Sequence, residues 1–308
     1  ISPLRTLEHI VKTTLAERVG ASETPSYSFV SEKQITALGD DTARYLELSN
    51  PLSAEKPFLR RSLAPNLLEA ARLNSAHTSH VRLFEIGKVF HAELAGDNMN
   101  PRHTGRLPRQ DTHLTLVISE EKNTQPFFEA KRALEILSHA SALPFTVSPA
   151  PINVPHHHPG RSAEVLSGTT PVGALYELHP TVAERYGFSN RVAILEVNLS
   201  TASACTPNSR HTEKPSLFPQ VERDIAFLVD THTAYEQLAS TIKNTSGLVT
   251  DVSLLDHYQG EQLPSGTKSL TLRLTLGTND HTLTTAEIDE ALQAIIKQLT
   301  EVHNITLR

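Results

Sequence analysis

Hydrophobic side chains recur at helical spacing at the start of the chain, where Leu4, Leu7, Val11 and Leu15 lie three or four positions apart. This period predicts an amphipathic helix, with Ser2 and Pro3 at its first turn and Gly20 at its end. Further helices are predicted at residues 63–71, 127–139 and 180–187, and strands at residues 26–30, 81–90, 163–166, 171–176 and 192–197. The mixture predicts an α+β domain over residues 1–200.

Three stretches of this part carry no clear period and are predicted to be connections. Residues 91–113 form a polar loop with three arginines, Arg102, Arg106 and Arg109, and residues 144–159 are rich in proline. Residues 199–215 are rich in Ser, Thr, Asn and Pro, so we place a domain linker at residues 201–213.

The last domain, residues 214–308, has the clearest pattern. Leucines at positions 270, 272, 274 and 276 alternate with Ser269, Thr271, Arg273 and Thr275, which predicts a strand with one buried face. Strands are predicted at residues 221–230, 247–258, 268–276 and 305–308. Capping boxes at Thr233 and Thr284 would open a helix after the first strand and another after the third. This βαββαβ order predicts a ferredoxin-like fold with two helices on one sheet face and an open opposite face.

Composition adds limits to the function. With 38% hydrophobic and 20% charged residues, the chain of 308 residues is typical of a globular protein. A single cysteine, Cys205, excludes an intrachain disulfide and favours a reducing compartment, the cytoplasm. No apolar run approaches the ~20 residues of a membrane span, so no membrane partner is expected. The start at Ile1, with Met99 as the only methionine, suggests a processed product or a fragment.

The negative charge is concentrated in the last third of the chain. Residues 212–308 contain 13 acidic and 7 basic side chains, which accounts for the whole net charge of −6. A polyanion would be repelled there on average, so any nucleic-acid contact must be local.

Several short strings resemble one family, the bacterial phenylalanyl-tRNA synthetase β subunit in its C-terminal portion. They occur in the family's order over nearly the whole chain. They are SFVS (28–31), NPLS (50–53), LRRSL (59–63), FEIGKVF (84–90), HPGRSA (158–163), ELHP (177–180), RDIA (223–226), YQG (258–260), KSL (268–270), TL (282–283) and LR (307–308). The resemblance implies a class II synthetase-like antiparallel sheet module followed by a ferredoxin-fold anticodon-binding domain. The sequence departs from the family around residues 91–126, where the family usually has a longer insert.

The resemblance also implies partners. The chain would dock on the catalytic α subunit, in an α2β2 assembly, and bind the anticodon of phenylalanine tRNA. ATP and Mg²⁺ would act in the holoenzyme, and no cofactor or metal is expected in this chain.

Two positions predict that this module is catalytically silent. Amino-acid activation needs cationic groups on the ATP α-phosphate. His91 follows Gly87-Lys88-Val89-Phe90 where the related catalytic subunit has an arginine, and histidine is mostly neutral at pH 7. The second arginine expected by resemblance is also absent from residues 195–199.

Anticodon contacts are expected on the open face of the last domain, because hydroxyls and arginine planes can recognise unpaired bases. The candidates are Ser253, His257, Ser269, Thr271, Arg273 and Arg308. Tyr258 and Phe218 could stack on bases, but the alternation places Tyr258 on the buried side.

Other interpretations stay open. The acidic last domain could be a protein-interaction scaffold with negligible RNA binding, and Arg223 could form an internal ion pair with Asp224. Arg102, Arg106 and Arg109 could face RNA or lie in a solvated loop. His156, His157 and His158 could bind a metal with Glu177 and His179, although a solvated loop is favoured, in which Arg161 pairs with a buried acid.

Overall fold

The computed structural model describes residues 2–98, 106–120, 125–149, 154–208, 217–260 and 262–308, with only the backbone described at residues 92, 95–98 and 106. The chain divides into two compact units, Ile1–Arg210 and His211–Arg308. None of the helices in the described ranges combines the length and the apolarity that a membrane span requires.

The first unit mixes helices with mostly antiparallel strands. Its helices are α1 (Pro3–Thr14), α2 (Glu32–Leu38), α3 (Ala64–Ser75), α4 (Pro126–Ser141), α5 (Pro180–Tyr186) and α6 (Leu199–Ala202). A π-helical turn follows α1 at Leu15–Val19, and a 3-10 turn lies at Thr42–Arg44. Its strands are β1 (Ser22–Glu23), β2 (Phe29–Val30), β3 (Leu46–Glu47), β4 (Phe58–Leu59), β5 (Val81–Asn98), β6 (Arg106–Ser119), β7 (Phe145–Ser148), β8 (His157–Ser167), β9 (Thr170–Leu178) and β10 (Val192–Asn198).

A seven-stranded sheet of order β1-β5-β6-β10-β9-β8-β7 organises this unit. Its strands pair antiparallel, except that β1 runs parallel to β5. One face of the sheet, with Leu116 and Leu195, packs against α1, α4 and α6. The other face, with Val117 and Ile194, packs against α3 and α5. A small sheet of order β2-β4-β3 lies apart from it.

The predicted first helix is confirmed, and its end has a clear cause. Leu7, Val11 and Leu15 are buried, and Pro3 occupies the first turn. Gly20 ends the helical segment with a φ of 69°, a left-handed conformation that glycine adopts without steric cost.

The predicted loop at residues 91–113 is wrong where the structure describes it. β5 continues to Asn98 and pairs with β6 in a long hairpin, in which His91 lies opposite Arg109. The far end of this hairpin is a two-stranded ribbon that buries few apolar side chains. Its sequence is therefore polar and shows no strand pattern. The pattern also fails to predict the strand at residues 114–119, although these residues are mostly buried.

Two other predicted connections contain regular structure. β7 and the beginning of β8 lie within the proline-rich stretch at residues 144–159. The predicted linker begins inside α6, whose Ala202 is fully buried in the core of the first unit.

The second unit is a four-stranded sheet covered by two helices. Its elements are β11 (Val221–Asp230), α7 (Tyr235–Thr245), β12 (Val249–Tyr258), β13 (Thr267–Leu276), α8 (Thr285–His303) and β14 (Thr306–Leu307). The order β12-β13-β11-β14 gives the predicted ferredoxin-like βαββαβ fold. Phe227 and the four alternating leucines of β13 pack against both helices, so the opposite side of the sheet, here called the outer face, is uncovered by them.

The capping residues explain where these helices begin. Thr284 and Glu287 form the predicted capping box of α8. At α7 the prediction is one residue too early: the N-cap is Ala234, whose N–H donates to the Gln237 side chain at 3.2 Å.

Candidate RNA-binding face and the polar face of the large sheet

The outer face of the second unit is built from cross-strand rows. Read across β12, β13 and β11, the rows are Asp251–Thr275–Glu222, Ser253–Arg273–Asp224, Asp256–Thr271–Ala226 and Tyr258–Ser269–Leu228. Hydroxyls, one arginine and one aromatic ring therefore share one face, and carboxylates are concentrated at its Thr275 end.

His257 does not lie on the outer face, and Tyr258 does. A β-bulge between Leu254 and Asp256 inserts an extra residue into β12, which reverses the alternation beyond it. His257 therefore pairs with the buried Leu270, while Tyr258 pairs with Ser269. The predicted faces of His257 and Tyr258 are therefore both wrong. The alternation of polar and apolar residues could not have shown the bulge.

Tyr258 is the only aromatic side chain in the described rows of this face, and it is 40% exposed. Its ring lies over the backbone of Gly260: a Cβ built on that glycine would lie 2.8 Å from the ring carbon Cζ. The glycine of the YQG string thus leaves room for the ring.

Arg273 lies on the outer face as predicted, but carboxylates neutralise it. Its Nε and Nη2 donate to the two Asp224 oxygens at 2.8 and 2.9 Å, and Nη1 lies 3.1 Å from Glu222. The guanidinium lowers the pKa of Asp224. Asp224 therefore pairs with Arg273 and not with Arg223, whose side chain donates to the Glu222 carbonyl.

Arg308 reaches the outer face from the other edge of the sheet. Its backbone N–H donates to Ala226, and its Nη1 lies 3.4 Å from the Ser269 hydroxyl. Ser269 is only 6% exposed, so its hydroxyl is largely covered. Thr271 and Ser253 are half-buried on the same face. The Tyr258 end of the face therefore carries a cation with no carboxylate within ion-pair distance in the described residues.

The first unit carries a second polar surface on its large sheet, on the face that α3 and α5 cover only in part. Glu85, Thr115 and Glu196 form one cross-strand row, and His113 lies opposite Gly87 in the next. We call these four side chains the polar face. Thr115 is fully buried, and its hydroxyl has no hydrogen-bond partner. The buried Nε2 atom of His113 also has no hydrogen-bond partner.

Three arginines next to the polar face are each paired with a carboxylate. Arg60 Nη1 lies 2.7 Å from Glu85 Oε1, and both side chains are 3% exposed. Arg61 donates to both oxygens of Glu93 at 2.7 Å, and Arg109 Nε lies 2.9 Å from Asp111. These guanidinium groups are therefore already neutralised.

His91 occupies β5 at the position where the resemblance places an arginine in the catalytic subunit. Burial lowers its pKa, and the nearby Arg61 adds to the effect. Burial also lowers the pKa of His113 to about 4. Both imidazoles are neutral at pH 7, and Glu196 adds a carboxylate, so this surface does not fit the phosphates of ATP.

The histidine run differs from the predicted solvated loop. His157 is 7% exposed, and its ring stacks on Tyr176 with centroids 3.6 Å apart. The predicted metal partners lie elsewhere: Glu177 accepts hydrogen bonds from Arg161 and Arg191, and His179 bonds to Thr181. The pairing of Arg161 with a buried acid is confirmed, since Glu177 is 2% exposed.

The three loop arginines do not form a described basic cluster. Arg102 lies outside the described residues, and only the backbone of Arg106 is described. Arg109 is neutralised by Asp111.

Comparison with known families matches both units. Residues 1–199 match the family described as phenylalanyl tRNA synthetase beta chain CLM domain. Residues 216–308 match the ferredoxin-fold anticodon binding domain. Among solved structures, a pyrrolysyl tRNA synthetase from Desulfitobacterium hafniense superposes with a TM-score of 0.51 at 17% identity, covering 65% of this chain and 67% of that one. This likeness concerns the fold alone, and it supports the predicted synthetase-like architecture.

Curated relatives extend the match over almost the whole chain. The phenylalanine–tRNA ligase beta subunit of Geobacillus kaustophilus is 33% identical over 290 residues, which cover 92% of this chain and 36% of the relative. That of Staphylococcus aureus is 33% identical over 303 residues, covering 95% and 36%. The chain thus spans about a third of the length of these relatives. It belongs to the phenylalanyl-tRNA synthetase β-chain family.

Proposed function

We propose that this chain serves as the C-terminal part of a phenylalanine–tRNA ligase β subunit and is catalytically silent by itself. The observation that carries this proposal is the charge of the side chains on the polar face and next to it. Arg60, Arg61 and Arg109 are held by carboxylates, His91 and His113 are neutral, and Glu196 adds a carboxyl group with no basic partner in the described residues. Negative charge building on a phosphate would be repelled there.

The catalytic steps would belong to the α subunit. ATP and Mg²⁺ would bind that subunit in a holoenzyme of α2β2 composition in the cytoplasm, where the complex joins phenylalanine to its tRNA. The first unit of this chain, which matches the β-chain CLM domain family, would supply the docking surface for α. Co-purification of the chain with an α subunit tests this part.

The second unit would bind the tRNA anticodon on its outer face. Tyr258 offers an exposed ring for base stacking, and Arg308 offers a guanidinium without a carboxylate partner in the described chain. Ser253 and Thr271 add hydroxyls along the same face. Arg273 would contribute less than its position suggests, because Asp224 and Glu222 already neutralise it.

A protein-interaction scaffold is the second candidate function. It is favoured by the carboxylates of Asp251, Glu222 and Asp224, which make one end of the outer face unfavourable for a phosphate backbone.

A titration with phenylalanine tRNA distinguishes the two functions. Replacing Tyr258 with Ala should weaken binding about 5- to 150-fold, since base stacking on an aromatic ring contributes about 1–3 kcal/mol. The matched control is His257→Ala, one residue away on the other side of the sheet, which should leave the affinity unchanged. Very weak binding that neither substitution nor an altered anticodon changes would favour the scaffold.

A further inference from the structure

We propose that His156, His157 and Glu196 form a binding site for a divalent transition-metal ion, with zinc as the best match to the ligands. The site lies where the beginning of β8 and the residue before it meet the central strand β10, and it is independent of the tRNA-binding proposal.

The three side chains already converge. One ligand atom from each lies within 4.8 Å of the other two. Zinc bonds of about 2.0–2.2 Å in a tetrahedral site separate the ligands by about 3.3 Å, so closure by about 1.5 Å at most is needed. The rings of His156 and His157 are nearly perpendicular, at 80°, with centroids 4.7 Å apart. Two adjacent histidines can thus present nitrogens to one point from different directions.

The charge of Glu196 calls for a cation. Among the described residues no lysine or arginine lies within ion-pair distance of its carboxylate, unlike Glu85, Glu93 and Asp111 around it. The hydroxyls of Ser62 and Tyr176 hydrogen-bond to its oxygens but bring no positive charge, and metal coordination is one way in which proteins pair such a carboxylate with a cation.

One of the two histidines has a ring nitrogen without a hydrogen-bond partner. His157 is 7% exposed, and its Nδ1 has no hydrogen-bond partner. Buried nitrogens without a partner are rare in folded proteins, and a bound metal ion would satisfy this one.

Surrounding groups hold the ligands in place. Glu196 accepts hydrogen bonds from the hydroxyls of Tyr176, at 3.0 Å, and Ser62. The Tyr176 ring also stacks on His157, and His156 bonds to the Leu38 backbone. Such outer partners typically orient the ligands of metal sites. Two imidazoles and one carboxylate are a set that zinc accepts, whereas Mg²⁺ and Ca²⁺ prefer oxygen ligands.

Metal analysis of the chain, purified without a histidine tag and dialysed against zinc, tests the proposal. We expect one zinc ion per chain, and tetrahedral visible absorption when Co²⁺ replaces it. His157→Phe keeps a ring on Tyr176 and Glu196→Gln keeps the shape, yet each should weaken zinc binding at least about 100-fold. His158→Ala is the matched control, since His158 bonds to Gly160 outside the site, and it should bind as the unchanged chain does.

Three results would overturn the proposal: less than equimolar zinc in the unchanged chain, zinc affinity in His157→Phe equal to that of the unchanged chain, or an equal loss in His158→Ala. Circular dichroism shows whether each variant folds. If a variant does not, the zinc content and Co²⁺ spectrum of the unchanged chain decide the question.

Discussion

At the scale of single residues, the first unit places each arginine next to the polar face against its own carboxylate. Arg60 lies over Gly87 of β5 to reach Glu85, and it also donates to the Lys88 carbonyl and the Ser26 hydroxyl. It can do so because Gly87 has no side chain: a Cβ there would lie 2.3 Å from Arg60 Nη2. The LRRSL and FEIGKVF strings, which contribute to the family resemblance, therefore also contain the two partners of a buried ion pair.

The buried ion pair should be important for stability. Glu85→Ala leaves the buried Arg60 guanidinium without its carboxylate, which should cost about 3–5 kcal/mol in the free energy of unfolding. Urea denaturation measures this cost. Glu135→Ala, which breaks an exposed pair with Lys131 in the same unit, is the control and should change stability by less than about 1 kcal/mol. A Glu85→Ala cost no larger than the control's would contradict the assignment.

The Arg61–Glu93 pair predicts a pH dependence. Hydrogen bonds from Arg61 lower the pKa of Glu93 to about 2. The pair should therefore persist as the pH falls below 4.5 and be lost only near pH 2, because the folded chain keeps this carboxylate ionised. An NMR titration of the Glu93 carboxyl measures it. Arg61→Ala should return the midpoint to about 4.3, and a midpoint near 4.3 in the unchanged chain would show that the pair does not form in solution.

At the scale of elements, close strand contacts in the large sheet depend on one glycine. A Cβ on Gly173 would lie 1.9 Å from the Glu196 carbonyl oxygen, where β9 pairs with β10. No rotation of a side chain can relieve that overlap, so the strands would have to separate.

Gly173→Ala should therefore destabilise the first unit by about 3 kcal/mol and speed hydrogen exchange in β9 and β10. The control is Gly160→Ala in β8, where a new Cβ meets only the His158 ring at ordinary contact distance. That change should stay within about 0.5 kcal/mol. Equal unfolding free energies for the two variants would show that β9 and β10 are not this close.

How far the sequence predicts each element follows from what the element buries. Buried positions alternate with less buried ones from Ile225 along β11 and from Leu270 along β13 because one face packs on α7 and α8, and the predicted bounds of both strands agree with the structure to within one residue. The hairpin of β5 and β6 extends beyond the core and leaves no such alternation. The bulge in β12 is set by pairing with β13, so its effect on Tyr258 and His257 lies outside any local pattern.

In the candidate sites, too, local alternation predicts the face on which a residue lies but not its tertiary partners. Alternation places Arg273 and Thr271 on the correct face, but the carboxylates that neutralise Arg273 come from β11, 49 positions or more away in sequence. In the sequence, Glu196 is notable only because residues 195–199 lack the arginine that the resemblance leads one to expect. Its approach to His156 and His157 depends on tertiary packing, which no spacing in the sequence predicts.

At the scale of the whole molecule, the distribution of charge limits how RNA could bind. The acidic residues of the last 97 positions and the pairing of Arg273 leave Arg308 as the one outer-face arginine without a carboxylate partner in the described residues. Recognition would then depend on stacking and hydrogen bonds more than on phosphate contacts.

A salt titration of tRNA binding tests this expectation. The slope of log K against log salt should be no steeper than about −2, because each phosphate contact contributes about −0.7 to −0.9. Arg308→Ala should reduce the magnitude of that slope by about 1. A slope steeper than about −4 would indicate a basic surface elsewhere on the chain, in contradiction to a binding site on the outer face.

A synthetase-like unit in which Arg60, Arg61 and Arg109, the described arginines next to the polar face, are held by carboxylates should be unable to activate an amino acid by itself. Phenylalanine-dependent exchange of pyrophosphate into ATP measures this ability, with the purified chain alone and with a phenylalanyl-tRNA synthetase α subunit added. We predict no exchange above background for the chain alone. Exchange by the chain without α, abolished by Arg61→Ala, would contradict the proposed silent role.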